Sequence, residues 1–78
     1  MKKFAKLIDL ENNEQVLLTI DYNDEDEMYE VETRTDFKGV AVSIKSGFYK
    51  EQDAIARLET FSVDDAKRFR EVMSRLMN

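Results

Sequence analysis

Apolar positions alternate with polar ones through the first part of this chain and switch to helical spacing only near its end. Residues 3–10 alternate loosely, with Phe4, Ile8 and Leu10 on one parity and Ala5 and Leu7 on the other. That pattern suits a strand whose two faces are both partly covered. Glu11-Asn12-Asn13-Glu14 reads as a turn, because Asn tolerates positive φ and suits the primed turn of a hairpin. The clearest strand covers residues 15–22: Val16, Leu18, Ile20 and Tyr22 share one face, Leu17, Thr19 and Asp21 the other. After a charged loop from Asn23 to Asp26, residues 28–36 set Tyr29, Val31, Thr33 and Thr35 against Met28, Glu30, Glu32 and Arg34. One apolar and one charged face is the mark of a half-solvated antiparallel strand. Phe37-Lys38-Gly39 is a turn; Val40, Val42 and Ile44 mark a fourth strand, which Ser46-Gly47 ends or kinks.

Residues 51–60 satisfy two patterns. Glu51-Gln52-Asp53-Ala54-Ile55-Ala56-Arg57-Leu58 is built of good helix formers. It also alternates, and Thr60-Phe61-Ser62 passes directly into a helix start, so a fifth strand is predicted, with a short helix as the alternative. The last element is unambiguous. Ser62 is placed to cap a helix, with Asp65 three residues on as an imperfect capping-box partner. Asp64 and Asp65 suit the positive end of the helix dipole and Arg75 the negative end. Val63, Ala66, Phe69, Val72, Met73 and Leu76 form the apolar stripe, leaving Lys67, Arg68 and Arg70 to face water or a partner. Hairpin-linked strands pair with their neighbours by default. The expected fold is α+β: an antiparallel β-meander of four to five strands with one C-terminal α-helix packed on one face, residues 1–78 forming a single domain.

Composition narrows the function. A chain of 78 residues buries a small core, and small domains usually gain stability from a disulfide, a metal or a partner subunit. Cys and His are both absent, which excludes disulfides, thiolate metal sites and the commonest catalytic base. Self-association is the remaining source of burial, and a homodimer is expected. No cofactor and no metal are expected, since Ser43, Ser46, Ser62 and Ser74 lack an evident activating partner and no Gly-rich phosphate loop is present. The first residues show no apolar run of signal-peptide length and no stretch approaches the roughly 20 apolar residues of a membrane span, so the expectation is a cytoplasmic protein without membrane contact. The net charge of −5 is uneven: Asp9 to Asp36 carries −10 and the rest of the chain +5.

Four segments are candidates for chemistry. Asp21, Asn23, Glu25, Glu27, Met28 and Glu32 fall at calcium-loop spacing, but Asp26 stands where that loop needs Gly and the flanks read as strands, so a solvated hairpin loop is favoured. Lys38-Gly39-Val40-Ala41-Val42-Ser43 resembles the basic-Gly strand of RNA-recognition domains at Lys38, Gly39 and Ala41, with Val40 and Val42 where the stacking aromatics belong. Lys45, Phe48, Tyr49 and Lys50 place aromatics between cations, a pattern that can stack on a single strand, although an acidic chain disfavours polyphosphate and core packing is the stronger reading. Finally, Asp21, Asp24, Glu25, Asp26, Glu27, Glu30 and Glu32 are expected to form one acidic face able to occupy a basic, nucleic-acid-binding site on a partner protein. A solubilising face that also protects an edge strand is the stronger reading, but among functional leads this is the best.

The order of strands followed by a capped helix, with the junction Thr60-Phe61-Ser62-Val63-Asp64-Asp65-Ala66, resembles the single-stranded-DNA-binding coactivator family. That resemblance implies a dimeric single-strand-binding module as an alternative function. The expectation carried forward is a small non-catalytic acidic interaction protein, akin to inhibitors or regulators encoded by phages and mobile elements. A structural or regulatory homodimer is the third reading.

Overall fold

The period-two pattern of the central strands sets the architecture. In the computed structural model, which describes residues 2–77, the chain runs β1 (Lys2–Asp9), β2 (Gln15–Asn23), β3 (Met28–Phe37), β4 (Val40–Phe48), α1 (Glu51–Thr60) and α2 (Val63–Met77). The four strands form one antiparallel sheet in the order β1-β2-β3-β4, the meander expected. Val16, Leu18 and Ile20 of β2 have no exposed surface, and across the ladder they face Thr35, Thr33 and Val31 of β3. On the other side Ile8 lies opposite Val16. Both helices cover this one face: Ala54 and Leu58 of α1, Phe61 at the junction, and Ala66, Phe69 and Met73 of α2 complete a single core with it.

Residues 51–60 form a helix rather than a fifth strand, so the fold has four strands and two helices, not one helix. Helical spacing puts Ala54, Leu58 and Phe61 together over the sheet, where they are buried. A strand at this point would have added to the sheet edge and left the core face uncovered on that side. The alternation of Ala54, Ala56 and Leu58 was therefore incidental to a run of residues with high helix propensity. Glu51 and Asp53 in the first turn of α1 complement its dipole.

Each hairpin is closed by residues at positive φ. Asn12 and Asn13 sit at 62° and 61°, and the Glu14 N–H donates to the Glu11 carbonyl, which makes the primed turn foreseen there. Lys38 and Gly39, at 51° and 82°, form a two-residue turn with Phe37 and Val40 paired across it. Gly47 does not end β4, which runs through it to Phe48. The Met28 side chain lies over Gly47: a Cβ there would stand 2.5 Å from Met28 Cε.

Two cations fasten the helices to the sheet. Lys6 of β1 reaches the C-terminal end of α1, where Nζ donates to the carbonyls of Leu58 (2.9 Å) and Phe61 (2.8 Å). A cation at the carbonyl end of a helix is favourable on charge grounds, and it adds to the bond that the Leu58 carbonyl accepts from the Phe61 N–H. Arg70 of α2 does not face water or a partner, as the stripe analysis expected; its side chain is 12 % exposed. Its guanidinium donates to Thr35 Oγ1, to the Asp36 carbonyl (2.9 Å) and to Glu14 Oε2 (3.1 Å), and stacks 4.3 Å from the Phe37 ring centroid. Such a planar fork cannot be copied by an ammonium group. Lys67 and Arg68 are exposed, as expected.

The start of α2 is a reciprocal capping box. Ser62 N–H (2.9 Å) and Ser62 Oγ (3.1 Å) donate to Asp65 Oδ2, and the Asp65 N–H donates back to Ser62 Oγ (3.1 Å). The backbone bond from Ser62 is the main reason the Asp65 carboxyl titrates below its ordinary 3.8, followed by the Ser62 hydroxyl; desolvation opposes the shift, and Arg68 and Arg57 add to it.

Replacing Arg70 with Lys is expected to cost about 2 kcal/mol in urea unfolding, because donors to Thr35, Asp36 and Glu14 are lost together from a mostly buried site. Asp65 has a depressed folded-state pKa, so its stabilisation is fully present above the unfolded value and is lost as pH falls through the folded one. The stability gap between the native chain and Asp65→Ala, measured by thermal melts across pH, should be widest at neutral pH and close below 3.8.

Candidate functional site

With both helices on one side, the second face of the sheet has no layer over it. Its rows follow from register: Leu7, Leu17, Arg34 and Ser43 lie side by side, then Ala5, Thr19, Glu32 and Lys45, then Asp21, Glu30 and Gly47. Leu7 is 52 % exposed at the β1 edge. Thr19, at the centre, is buried among its neighbours' side chains. The Leu7–Leu17 pair thus lies between the row of Asp9, Gln15, Asp36 and Ala41 and the acidic end at the β2–β3 turn.

The structure brings the predicted acidic residues together. Asp21 stands directly across from Glu30, and Glu32 follows on the same face of β3. Asp24, Glu25, Asp26 and Glu27 form the exposed turn joining these two strands. Asn23 organises that turn: its Oδ1 accepts the N–H groups of Glu25 (2.9 Å) and Asp26 (3.2 Å). Its amide nitrogen donates to Asp26 Oδ2 (3.3 Å) and Glu30 Oε2 (3.4 Å), tying the turn to the strand face. Glu27 closes the turn at φ 53°, a conformation that costs a residue with a Cβ.

Among the described residues no Lys or Arg forms an ion pair with Asp24, Glu25, Asp26, Glu27, Glu30 or Glu32, whereas Glu14 pairs with Arg70 and Glu71 with Arg75. Glu32 does have a cationic neighbour, since Lys45 stands opposite it in the ladder. Lys2 occupies the register position across from Asp21. The unpaired negative charge therefore concentrates on the turn and on Glu30. No grouping of three or more acidic side chains among the described residues is arranged to hold a metal ion, and a strand–turn–strand segment replaces the helices that flank a calcium loop.

The alternative single-strand site is divided by the pleat. Lys45 lies on the open face, beside Glu32, whereas Phe48 turns to the opposite face, opposite Tyr29, and packs against the core. Tyr49 is 80 % exposed and Lys50 precedes α1. Lys45 and Phe48 are thus kept on opposite faces of the sheet. The resemblance to the coactivator family, which rested on strands followed by one capped helix, is not matched in element order, because α1 intervenes.

One feature escaped the sequence. A groove of about 730 Å³ opens beside Arg70, between the β1–β2 turn, the β3–β4 turn and the end of α2, with Asn13, Phe37, Val40, Ser74 and Met77 among its walls. Arg70 is engaged with Thr35, Asp36 and Glu14, which leaves Lys38, on the β3–β4 turn, as the other cation in the groove wall. Only the unusual Phe37-to-Arg70 stacking could have signalled it, and that pairing joins elements far apart in sequence.

No protein-family model, curated protein or solved structure matches this chain. No helix among the described residues is long and apolar enough to cross a membrane.

Directly opposed like charges weaken an antiparallel pair by about 0.2–1 kcal/mol. Glu30→Gln keeps the acceptor for Asn23 and removes the charge facing Asp21, so it should raise stability by about 0.5 kcal/mol in chemical unfolding.

Proposed function

We propose that this chain is a small non-catalytic interaction protein that sets the acidic end of its open sheet face against a basic, nucleic-acid-binding surface of another protein. It would act there as an inhibitor or regulator, of the kind that phages and mobile elements encode. The observation that carries this reading is the convergence of Asp24, Glu25, Asp26, Glu27 and Glu30 on one turn and one strand face, without cationic partners among the described residues. Charges gathered on one turn and the adjoining strand exceed what solubility alone asks for, because scattered charges would serve that purpose as well.

The neighbouring leucine pair supports the same reading. Protein interfaces combine an apolar centre with a charged rim, and the Leu7–Leu17 pair lies on the same face as the carboxylates. The acidic turn would steer the encounter and set orientation, and the leucines would add burial once docked.

The test is capture at low salt with the native chain and, in parallel, with Glu25, Glu27, Glu30 and Glu32 all changed to Gln. A cognate partner should be held by the native chain, released by added salt or by nucleic acid, and bound more than about tenfold less tightly by the quadruple variant. Equal binding by both chains would remove the acidic face from the mechanism.

A further inference from the structure

The sheet has two edge strands, and the chain treats them differently. Unpaired strand edges invite pairing with other chains, and proteins guard them with charges, bulges and short lengths. β1 is guarded: its register shifts between Lys2 and Phe4, and Asp9 is exposed at its end. β4 is less protected. Its nine residues, Val40 to Phe48, pair with β3 without interruption and contain a single charge, Lys45. On the helix side of the sheet it leaves Val40 53 % and Ile44 46 % exposed. Along α2, Val72, Leu76 and Met77 are exposed as well, and Met77 shares the wall of one groove with Val40. The stripe Val63, Ala66, Phe69, Val72, Met73, Leu76 is thus only half used by the core.

We propose that β4 is the seam of a homodimer, in which two copies pair antiparallel about a two-fold axis at Ile44 and merge their sheets into one. The midpoint of Val40–Phe48 is Ile44, so this register uses the whole strand. It sets Val40 against Phe48, Val42 against Ser46 and Ser43 against Lys45 of the second copy, with no charge directly facing a like charge. Residues of equal parity meet, so both helix layers fall on the same side and the exposed apolar residues of β4 are covered there.

Charge points to a second copy as the occupant. From Lys38 to Lys50 the chain has no acidic residue, although it has 17 in all. This is the edge at which a chain of net charge −5 can approach its own copy without carboxylate meeting carboxylate. Size agrees. A nine-residue seam is about 30 Å long at strand rise; with a molecule about 20 Å thick, each copy would lose on the order of 600 Å², which reaches the lower range of stable interfaces. Association in the micromolar range is expected.

Sedimentation of the native chain should show a dimer at high micromolar concentration that persists or strengthens as salt is raised. Docking of the acidic face behaves oppositely, so failure of one proposal does not imply failure of the other. Ile44→Lys should give a monomer with an unchanged circular dichroism spectrum, since Ile44 is already half exposed in the single chain. The chain has no native Cys, which permits a positional check. Ile44→Cys should cross-link to its own copy on oxidation, because residues facing each other across the axis lie within disulfide reach. Val40→Cys should not, because its counterpart would be about 27 Å away. A native chain that stays monomeric, an Ile44→Lys variant that still dimerises, or equal cross-linking at both positions would each overturn the proposal. A monomer whose β4 edge takes up a strand from an unrelated protein would overturn it too.

Discussion

A sheet has two faces, and this chain has enough helix to cover one of them. That constraint shapes the rest of the molecule. Val16, Leu18 and Ile20 must be dry, so α1 and α2 both go to their side, joined at Phe61 and completing a single core. The opposite face then has to survive in water on its own side chains. It does so with Thr19 shielded at its centre, Arg34, Glu32 and Lys45 around it, and the acidic turn at one end. The edge β4, which the helices only partly overhang, is left with apolar side chains in the open.

Because the core is small, the helices cannot be held by apolar contact alone, and two long cationic side chains do part of that work from the inside. Lys6 closes the carbonyl end of α1 from β1, while Arg70 joins α2 to β3 and to the β1–β2 turn. The first ties the end of α1 to β1; the second fixes α2 near the turns at one end. Spending these cations on structure has an electrostatic consequence. They are withdrawn from the surface, so the carboxylates of the β2–β3 turn, at the far end of the strands from Arg70, meet no compensating charge there. The −10 of residues 9–36 is therefore expressed on the surface more fully than the net charge suggests.

The four strands, their turns and the C-terminal helix were legible because each rests on local physics. Alternation sorts the faces of β2 and β3; Asn12-Asn13 and Lys38-Gly39 supply positive φ; Ser62 and Asp65 cap α2. The acidic grouping was legible for the same reason, since Glu30 and Glu32 share a parity and Asp24 to Glu27 form the adjoining turn. Residues 51–60 were misjudged because ten residues can fit both periods, and the deciding factor is tertiary: which conformation buries Ala54 and Leu58 over β2 and β3. Arg70 was misjudged because a charged residue beside an apolar stripe normally faces water. Its partners, Glu14, Thr35, Asp36 and Phe37, come from a turn and a strand that no local pattern could place beneath α2. The split of Lys45 from Phe48 was in principle readable, for residues three apart on one strand always point to opposite faces.

The distribution of acids and the state of the two sheet edges are two aspects of one design. A protein that gathers repulsive charge on one surface keeps its copies from associating there. It does not thereby protect a distant edge, because charge at the β2–β3 turn is screened over about 8 Å at physiological salt, while β4 extends about 30 Å along the sheet. Had solubility been the only demand, one of the chain's acids placed at Ser43 or Ile44 would have guarded that edge as the break in register and Asp9 guard β1. The chain instead keeps thirteen consecutive residues, from Lys38 to Lys50, free of acids beside its least protected strand. Negative charge concentrated at one end of the sheet and absent from its edge separates two surfaces: one suited to a basic partner, the other to a neutral strand.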